Sequence, residues 1–235
     1  DSILIETPSG RYALIDGGRS PGKLAESLGR ALPAGAHTLD LVVTASPDID
    51  GLGGLPGLFD RYTIRRVLLA GDPARTAAYR EWVEGVASPS RSILMLTAET
   101  GQAFDLGNGI TLTVVAALPT GAILRLEDGN SSFLFPVVLD AVTANELATA
   151  RRIAPATVLL APSHAGKDSV SAGFVAAALA AWFLHQVEAG ERPWQCLIDL
   201  TEDTFAALVA TLRQEGVMRN DDVTLVLGWA ADEHG

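Results

Sequence analysis

Short apolar runs separated by turn residues fill the first half of the chain. Two β-like runs, Ser2–Glu6 and Arg11–Asp16, are joined by a turn of hairpin length. Apolar residues at helical spacing over Lys23–Leu32 predict a helix that ends at Pro33. The pattern then predicts, in order, a strand over Leu39–Thr44, a short helix over Leu55–Tyr62, a strand over Arg66–Ala70, a helix over Ala74–Val86 and a strand over Ser92–Thr97.

The second half begins with consecutive strands and then returns to alternation. Four strands are predicted over Ala103–Leu106, Ile110–Leu118, Ala122–Leu126 and Ser132–Val138, with hairpin turns at Gly107-Asn108-Gly109 and Asp128-Gly129-Asn130. After them come a helix over Ala144–Ile153, a strand over Thr157–Ala161, a loop over Pro162–Ser169, a helix over Ala172–Glu188, a strand over Gln195–Leu200, a helix from Thr201 to Gly216 and a strand over Asp222–Trp229. The order of elements therefore recurs, without a linker between the halves. We expect one domain over residues 1–235 with a mixed α/β (α+β) fold: two sheets packed face to face, helices outside, in four αββα layers.

Charge and composition narrow the function classes. The net charge of −11 disfavours direct binding to nucleic acid, which needs a basic face. Cys196 is the single cysteine, so neither an intrachain disulfide nor a Cys-cluster zinc site is possible. The longest apolar run, Phe174–Leu184, is shorter than the roughly 20 residues of a membrane span. The chain opens at Asp1, without a methionine or a signal peptide, which predicts a segment of a longer parent protein.

The stretch around Leu39–Leu58 is the first candidate for chemistry. Its apolar strand runs into a polar loop, Ala45–Asp50, and then into a turn with Gly51, Gly53 and Gly54. A strand end of this kind delivers side chains to the carboxyl edge of a sheet, where α/β proteins place their sites. The same glycines imitate a dinucleotide-binding turn, although Pro56 replaces the last glycine of that motif.

The chain resembles the metallo-β-lactamase superfamily and, within it, the extracytoplasmic hydrolase-like domain of ComEC-type competence proteins, which form DNA-uptake channels. Asp1–Gly18 is similar to that domain's opening hairpin and its Asp-Gly-Gly strand end. Leu39–Leu55 is similar to its central strand and metal loop, Phe133–Asp140 to the strand carrying Thr-Gly-Asp, and Val158–Gly166 to the strand running into Pro-His-His-Gly-Ser. The resemblance implies the four-layer fold and an extracytoplasmic location.

The resemblance also implies where metal ligands would lie, and most of those places are changed. In the family the central loop reads His-x-Asp-x-Asp-His; here Ser46 and Gly51 stand at its two histidines, while Asp48 and Asp50 remain. The second motif's Asp falls near Val138, with Asp140 two residues on. At the third motif the first histidine becomes Ser163, and His164 remains.

These changes weigh against a dinuclear zinc centre. Zinc prefers several imidazole or thiolate ligands, and the chain has four histidines, His37, His164, His185 and His234. Asp48, Asp50, Asp140 and His164 could instead hold one magnesium, manganese or calcium ion. In the structural alternative Asp48 and Asp50 cap the following turn by accepting backbone N–H bonds, and Asp16 likewise ties down neighbouring backbone. A serine nucleophile built from Ser46 or Ser163 with His164 would need a geometry that spacing does not supply.

Three hypotheses follow. The first is a metallo-β-lactamase-fold domain whose metal site is largely lost, without a cofactor, acting as a non-catalytic binding or structural module for a protein partner or for the rest of a larger parent chain. The second is a metal-dependent, phosphodiesterase-like hydrolase with an Asp-rich, non-zinc site. A third, weaker one is nucleotide binding at the glycine turn.

Overall fold

A computed structural model describes residues 2–139, 141–150, 152–154, 156, 158–160 and 178. Its strands are β1 Ile3–Glu6, β2 Tyr12–Ile15, β3 Thr38–Leu39, β4 Leu41–Thr44, β5 Thr63–Ile64, β6 Arg66–Leu69, β7 Leu94–Thr97, β8 Ala103–Gly107, β9 Ile110–Leu118, β10 Gly121–Asp128, β11 Ser131–Pro136 and β12 Val158–Leu159. The helices are α1 Pro21–Ala31, α2 Ile49–Leu52, α3 Ala77–Val86 and α4 Ala141–Thr149, with a 3₁₀ turn at Leu55–Leu58. The elements predicted beyond β12 lie outside the described residues.

Two five-stranded sheets organise these strands. The first has the order β1-β2-β4-β6-β7, in which β1 pairs antiparallel with β2 and the remaining strands run parallel. The second has the order β12-β11-β10-β9-β8. A small parallel ladder joins β3 to β5. The mixed α/β class predicted from the sequence is therefore confirmed.

The chain divides into two compact units, Asp1–Leu124 and Arg125–Gly235. The first unit contains the whole first sheet, the helices α1, α2 and α3, and the central loop. The prediction of one domain over residues 1–235 stays a prediction. None of the described helices is long and apolar enough to span a bilayer.

The core of the first unit forms where helices cover one face of the parallel sheet. Leu14, Val42 and Val67 project from three neighbouring strands into this core and are buried. Its helical side consists of Leu24 and Leu28 from α1, Leu55 and Leu58 from the 3₁₀ turn, and Trp82 and Val86 from α3. The opposite face of β2 and β4 is also buried, which explains the nearly continuous apolar sequence of these two strands.

One predicted strand is interrupted. The apolar pattern predicts a single strand over Leu39–Thr44, but it divides at Asp40 into β3 and β4. The Asp40 carboxylate accepts a hydrogen bond from the Tyr12 backbone N–H at 3.2 Å and one from Nη1 of Arg65 at 2.9 Å. The Asp40 side chain therefore accepts an N–H of β2 that a backbone carbonyl would accept in a regular sheet. Strand β3 pairs with β5.

Helix boundaries also differ from the pattern because capping residues set them. Helix α1 begins earlier than predicted, at Pro21, since the Ser20 hydroxyl accepts from the Lys23 N–H. Helix α3 begins later than predicted, because Thr76 caps it by accepting from the Tyr79 N–H. The helix predicted over Leu55–Tyr62 is only a 3₁₀ turn, and α4 begins and ends before the predicted Ala144–Ile153.

A buried polar contact links α3 to the central strand. The Trp82 indole N–H donates to the Thr44 hydroxyl at 3.0 Å, and both residues are fully buried. We expect Thr44→Val to lower the free energy of unfolding by about 1–3 kcal/mol, since it leaves the indole N–H buried without an acceptor. Urea unfolding measures this. Thr97→Val, on the exposed end of β7, is the control, and an equal effect of the two changes would contradict the assignment.

Candidate functional site

The candidate site lies where two neighbouring parallel strands end. Strand β2 ends at Ile15 and strand β4 at Thr44, and the two strands pair with Ile15 opposite Val43. Because parallel strands end at the same edge of a sheet, Asp16 comes directly beside the loop that follows β4. The site is built from this one edge.

Asp16 holds the loop through its backbone. Its carboxylate oxygen Oδ1 accepts from the N–H of Ala45 at 2.7 Å and from the N–H of Ser46 at 3.2 Å. Its own N–H donates to the carbonyl of Val43 at 2.8 Å. The residue is buried and has a φ of 56°, a left-handed conformation that Asp tolerates better than most residues. The prediction that Asp16 ties down neighbouring backbone is confirmed.

Burial changes the acidity of this carboxyl group. Desolvation raises the pKa of Asp16 from 3.8 to about 7, while the two backbone N–H bonds from Ser46 and Ala45 act in the opposite direction. A buried group that titrates near neutral pH therefore sits beneath the loop.

The glycines at this edge allow close contact between the segment that follows β2 and the segment that follows β4. The N–H of Gly17 donates to the carbonyl of Gly51, and the N–H of Gly54 donates to the carbonyl of Gly18, both at 2.6 Å. A Cβ atom at Gly51 would lie 3.0 Å from Oδ2 of Asp16, and one at Gly54 would lie 2.1 Å from the Gly17 carbonyl oxygen. Close backbone packing thus accounts for these glycines without a bound nucleotide.

The polar side chains of the loop differ in what they contact. The Ser46 hydroxyl is buried and accepts from the Asp48 N–H at 3.2 Å. Asp48 precedes α2 but its carboxylate makes no capping hydrogen bond, so the capping role considered for it is wrong. Its side chain is exposed at the surface.

Asp50 is paired with a cation of the chain itself. Nη2 of Arg19 donates to its Oδ2 at 2.8 Å, and Nε of Arg19 contacts Oδ1, so the pair is bidentate. The Arg19 side chain is 74% exposed and the Asp50 side chain 43%. Arg19 is not among the residues predicted from the sequence, although it directly follows Asp16-Gly17-Gly18.

The remaining candidates are not brought together by the described structure. Asp140, Ser163 and His164 lie outside the described residues, so the serine-nucleophile and single-ion arrangements stay predictions. Within the described part of the chain, no three His, Cys, Asp or Glu side chains form a group that could hold a metal ion. His37 lies before β3, next to the start of β4 and so at the other end of that strand.

The residues of the loop after β4 do not by themselves fit a two-metal centre. Such a centre needs several side-chain donors directed at both ions. Gly51 offers no side chain, the Ser46 hydroxyl already accepts a backbone N–H, and the Asp50 carboxylate is neutralised by Arg19. A two-metal reaction therefore finds no support in these residues.

Comparison with known proteins gives structural similarity only. No protein-family model and no curated protein matches the sequence. Similar solved structures are metallo-β-lactamase-fold proteins. Zn²⁺-bound PqqB from Methylobacterium extorquens is 19% identical with a TM-score of 0.48, over 69% of this chain and 57% of that one. YhfI from Bacillus subtilis is 15% identical with a TM-score of 0.48, over 68% and 62%. A HARLDQ-motif metallo-β-lactamase mutant from Cronobacter sakazakii is 16% identical with a TM-score of 0.49, over 93% and 90%. The chain thus spans less than two thirds of the PqqB and YhfI chains.

The close packing at Gly51 gives a stability prediction. We expect Gly51→Ala to lower the free energy of unfolding by about 1–3 kcal/mol, because the added methyl group would press on the Asp16 carboxyl group and on Ser46. Gly29→Ala, in α1 with open space around it, is the matched control and should be stabilising by about 0.5–1 kcal/mol. Equal effects in chemical denaturation would contradict the packing at Gly51.

The raised pKa of Asp16 gives a pH prediction. Because the folded state holds this proton more tightly than the unfolded state, stability falls as pH rises from about 4 through about 7. We expect the wild type to lose about 2–3 kcal/mol relative to Asp16→Asn between pH 5 and pH 8. Urea unfolding of both proteins at the two pH values measures the difference. If the free energy of unfolding of the wild type increased relative to that of the variant as pH rises, it would contradict a buried, desolvated carboxyl group.

Proposed function

We propose that this chain is a metallo-β-lactamase-fold domain, similar to the extracytoplasmic domain of ComEC-type proteins, whose metal site is largely lost. It acts as a non-catalytic binding or structural module. The scaffold of the central loop is kept, with its strand, its Asp16 anchor and its glycine turn. Ser46 and Gly51 replace the two histidines that the family's loop uses as metal ligands.

The bidentate pair between Arg19 and Asp50 is the observation that carries this proposal. Asp50 stands at a place where the family has a metal ligand, and a guanidinium supplies the positive charge beside it. A divalent ion would compete with the Arg19 guanidinium for the same carboxylate oxygens. The pair therefore supports a loop that is stable without metal.

The surface of the loop carries one exposed apolar side chain. Ile49 is 45% exposed at the start of α2, between the exposed Asp48 and the Asp50 carboxylate that pairs with Arg19. Single exposed apolar residues are ordinary on protein surfaces, so Ile49 is compatible with a protein contact but does not select one. The partner we propose is another protein or further segments of a larger parent chain.

The test measures bound metal on the full chain after incubation with Zn²⁺ and with Mn²⁺, followed by removal of free ions. We expect far less than one ion per chain. We also expect Arg19→Ala to bind more Mn²⁺ than the wild type, because it frees the Asp50 carboxylate. Arg61→Ala, at an exposed arginine between the 3₁₀ turn and β5, is the matched control and should bind no more than the wild type.

The rival function is a metal-dependent, phosphodiesterase-like hydrolase using Asp48, Asp50, Asp140 and His164. Stoichiometric metal that is lost in Asp48→Ala combined with His164→Ala would overturn the non-catalytic proposal. So would Mn²⁺- or Mg²⁺-stimulated cleavage of bis(p-nitrophenyl) phosphate that Asp50→Asn abolishes.

A further inference from the structure

A second polar site lies at the opposite end of the parallel strands. A cleft of about 350 Å³ opens between the β1–β2 turn and the connection from α1 to β3. It is lined by side chains near the starts of β2, β4 and β6, whereas the loop at Asp48 and Asp50 follows the end of β4. The side chains that matter to the argument are Ser9, Arg11, His37, Thr38, Asp40 and Arg65.

The charged side chains that line the cleft sum to a positive charge, although the net charge of the chain is −11. Arg11 and Arg65 contribute two guanidinium groups, and Asp40 contributes the one carboxylate. The Asp40 carboxylate is buried, and each of its oxygens already accepts a hydrogen bond, one from the Tyr12 N–H and one from Nη1 of Arg65. At short range these local charges outweigh the distant acidic surface, because salt screens charges beyond about 10 Å.

Asp40 also orients Arg65. The contact uses Nη1, and the Arg65 side chain is 65% exposed. The Arg11 guanidinium forms no ion pair with any described residue of the chain. Both arginines line the same opening.

The backbone around the cleft is fixed before any ligand arrives. Thr7, which is buried, accepts from the Arg11 N–H at 3.1 Å, and its hydroxyl lies 2.9 Å from the Ser9 hydroxyl. On the other wall, the His37 carbonyl accepts from the Thr63 N–H at 2.7 Å. Both walls are thus held by contacts that a ligand would not need to make or break, which lowers the cost of binding.

We infer that this cleft is a binding site for a small phosphate-bearing anion, held by the guanidinium groups of Arg11 and Arg65 with Ser9, His37 and Thr38 as further polar contacts. Guanidinium groups donate paired N–H bonds that match phosphate oxygens. The cleft is large enough for a phosphate group together with a small attached moiety. The inference is independent of the metal site, because it uses the other edge of the sheet.

The test titrates inorganic phosphate into the ¹⁵N-labelled full chain at constant ionic strength, with chloride as the balancing ion. We expect saturable amide shifts at Gly10, Gly35 and Thr38, with no comparable change at Ser46. Arg11→Gln should weaken phosphate binding at least about tenfold, because it removes a charged donor. Arg80→Gln removes the same charge from the exposed surface of α3 and should leave the affinity unchanged.

Three results would overturn the inference: no saturable shift at the cleft, the same affinity in Arg11→Gln and Arg80→Gln, or equally tight binding of acetate. Melting temperatures of both variants without phosphate show that each is folded. A metal found at the Asp48–Asp50 loop would contradict the proposed function but would leave this inference standing.

Discussion

One buried carboxylate organises the candidate site. Asp16 ends strand β2, and its Oδ1 accepts the first two backbone N–H groups of the loop that follows the neighbouring strand β4. Backbone hydrogen bonds between residues 17–18 and 51–54 also join the segment after β2 to the segment after β4. Asp16 and the glycines therefore account for the course of the loop.

Periodicity predicted most of the first unit, because apolar runs and turn residues report burial and chain reversal directly. It failed where a single polar side chain changes the local hydrogen bonding, as Asp40 does when it divides the predicted central strand. It also misplaced helix starts that depend on the hydroxyl caps Ser20 and Thr76. At the site, Asp16 could be predicted as a backbone anchor, since an Asp before two glycines at a strand end has few other roles. The pairing of Arg19 with Asp50 could not, because the two residues are 31 positions apart and meet only through the sheet.

The two edges of the parallel sheet use arginine differently. At the carboxyl edge, Arg19 is paired through Nε and Nη2 with the two carboxylate oxygens of Asp50. At the amino edge, Asp40 engages one nitrogen of Arg65, and Arg11 remains available beside it. The first arrangement is the basis of the proposed role without metal, and the second is the basis of the proposed anion site.

The most direct test of the central claim is a crystal of the full chain soaked in Zn²⁺ and examined by anomalous scattering. We expect no zinc peak within ligand distance of Asp48 or Asp50, about 2 Å, with the Arg19 guanidinium still paired with Asp50. A peak at that distance from the Asp50 carboxylate, with Arg19 displaced and His164 as a further ligand, would contradict it.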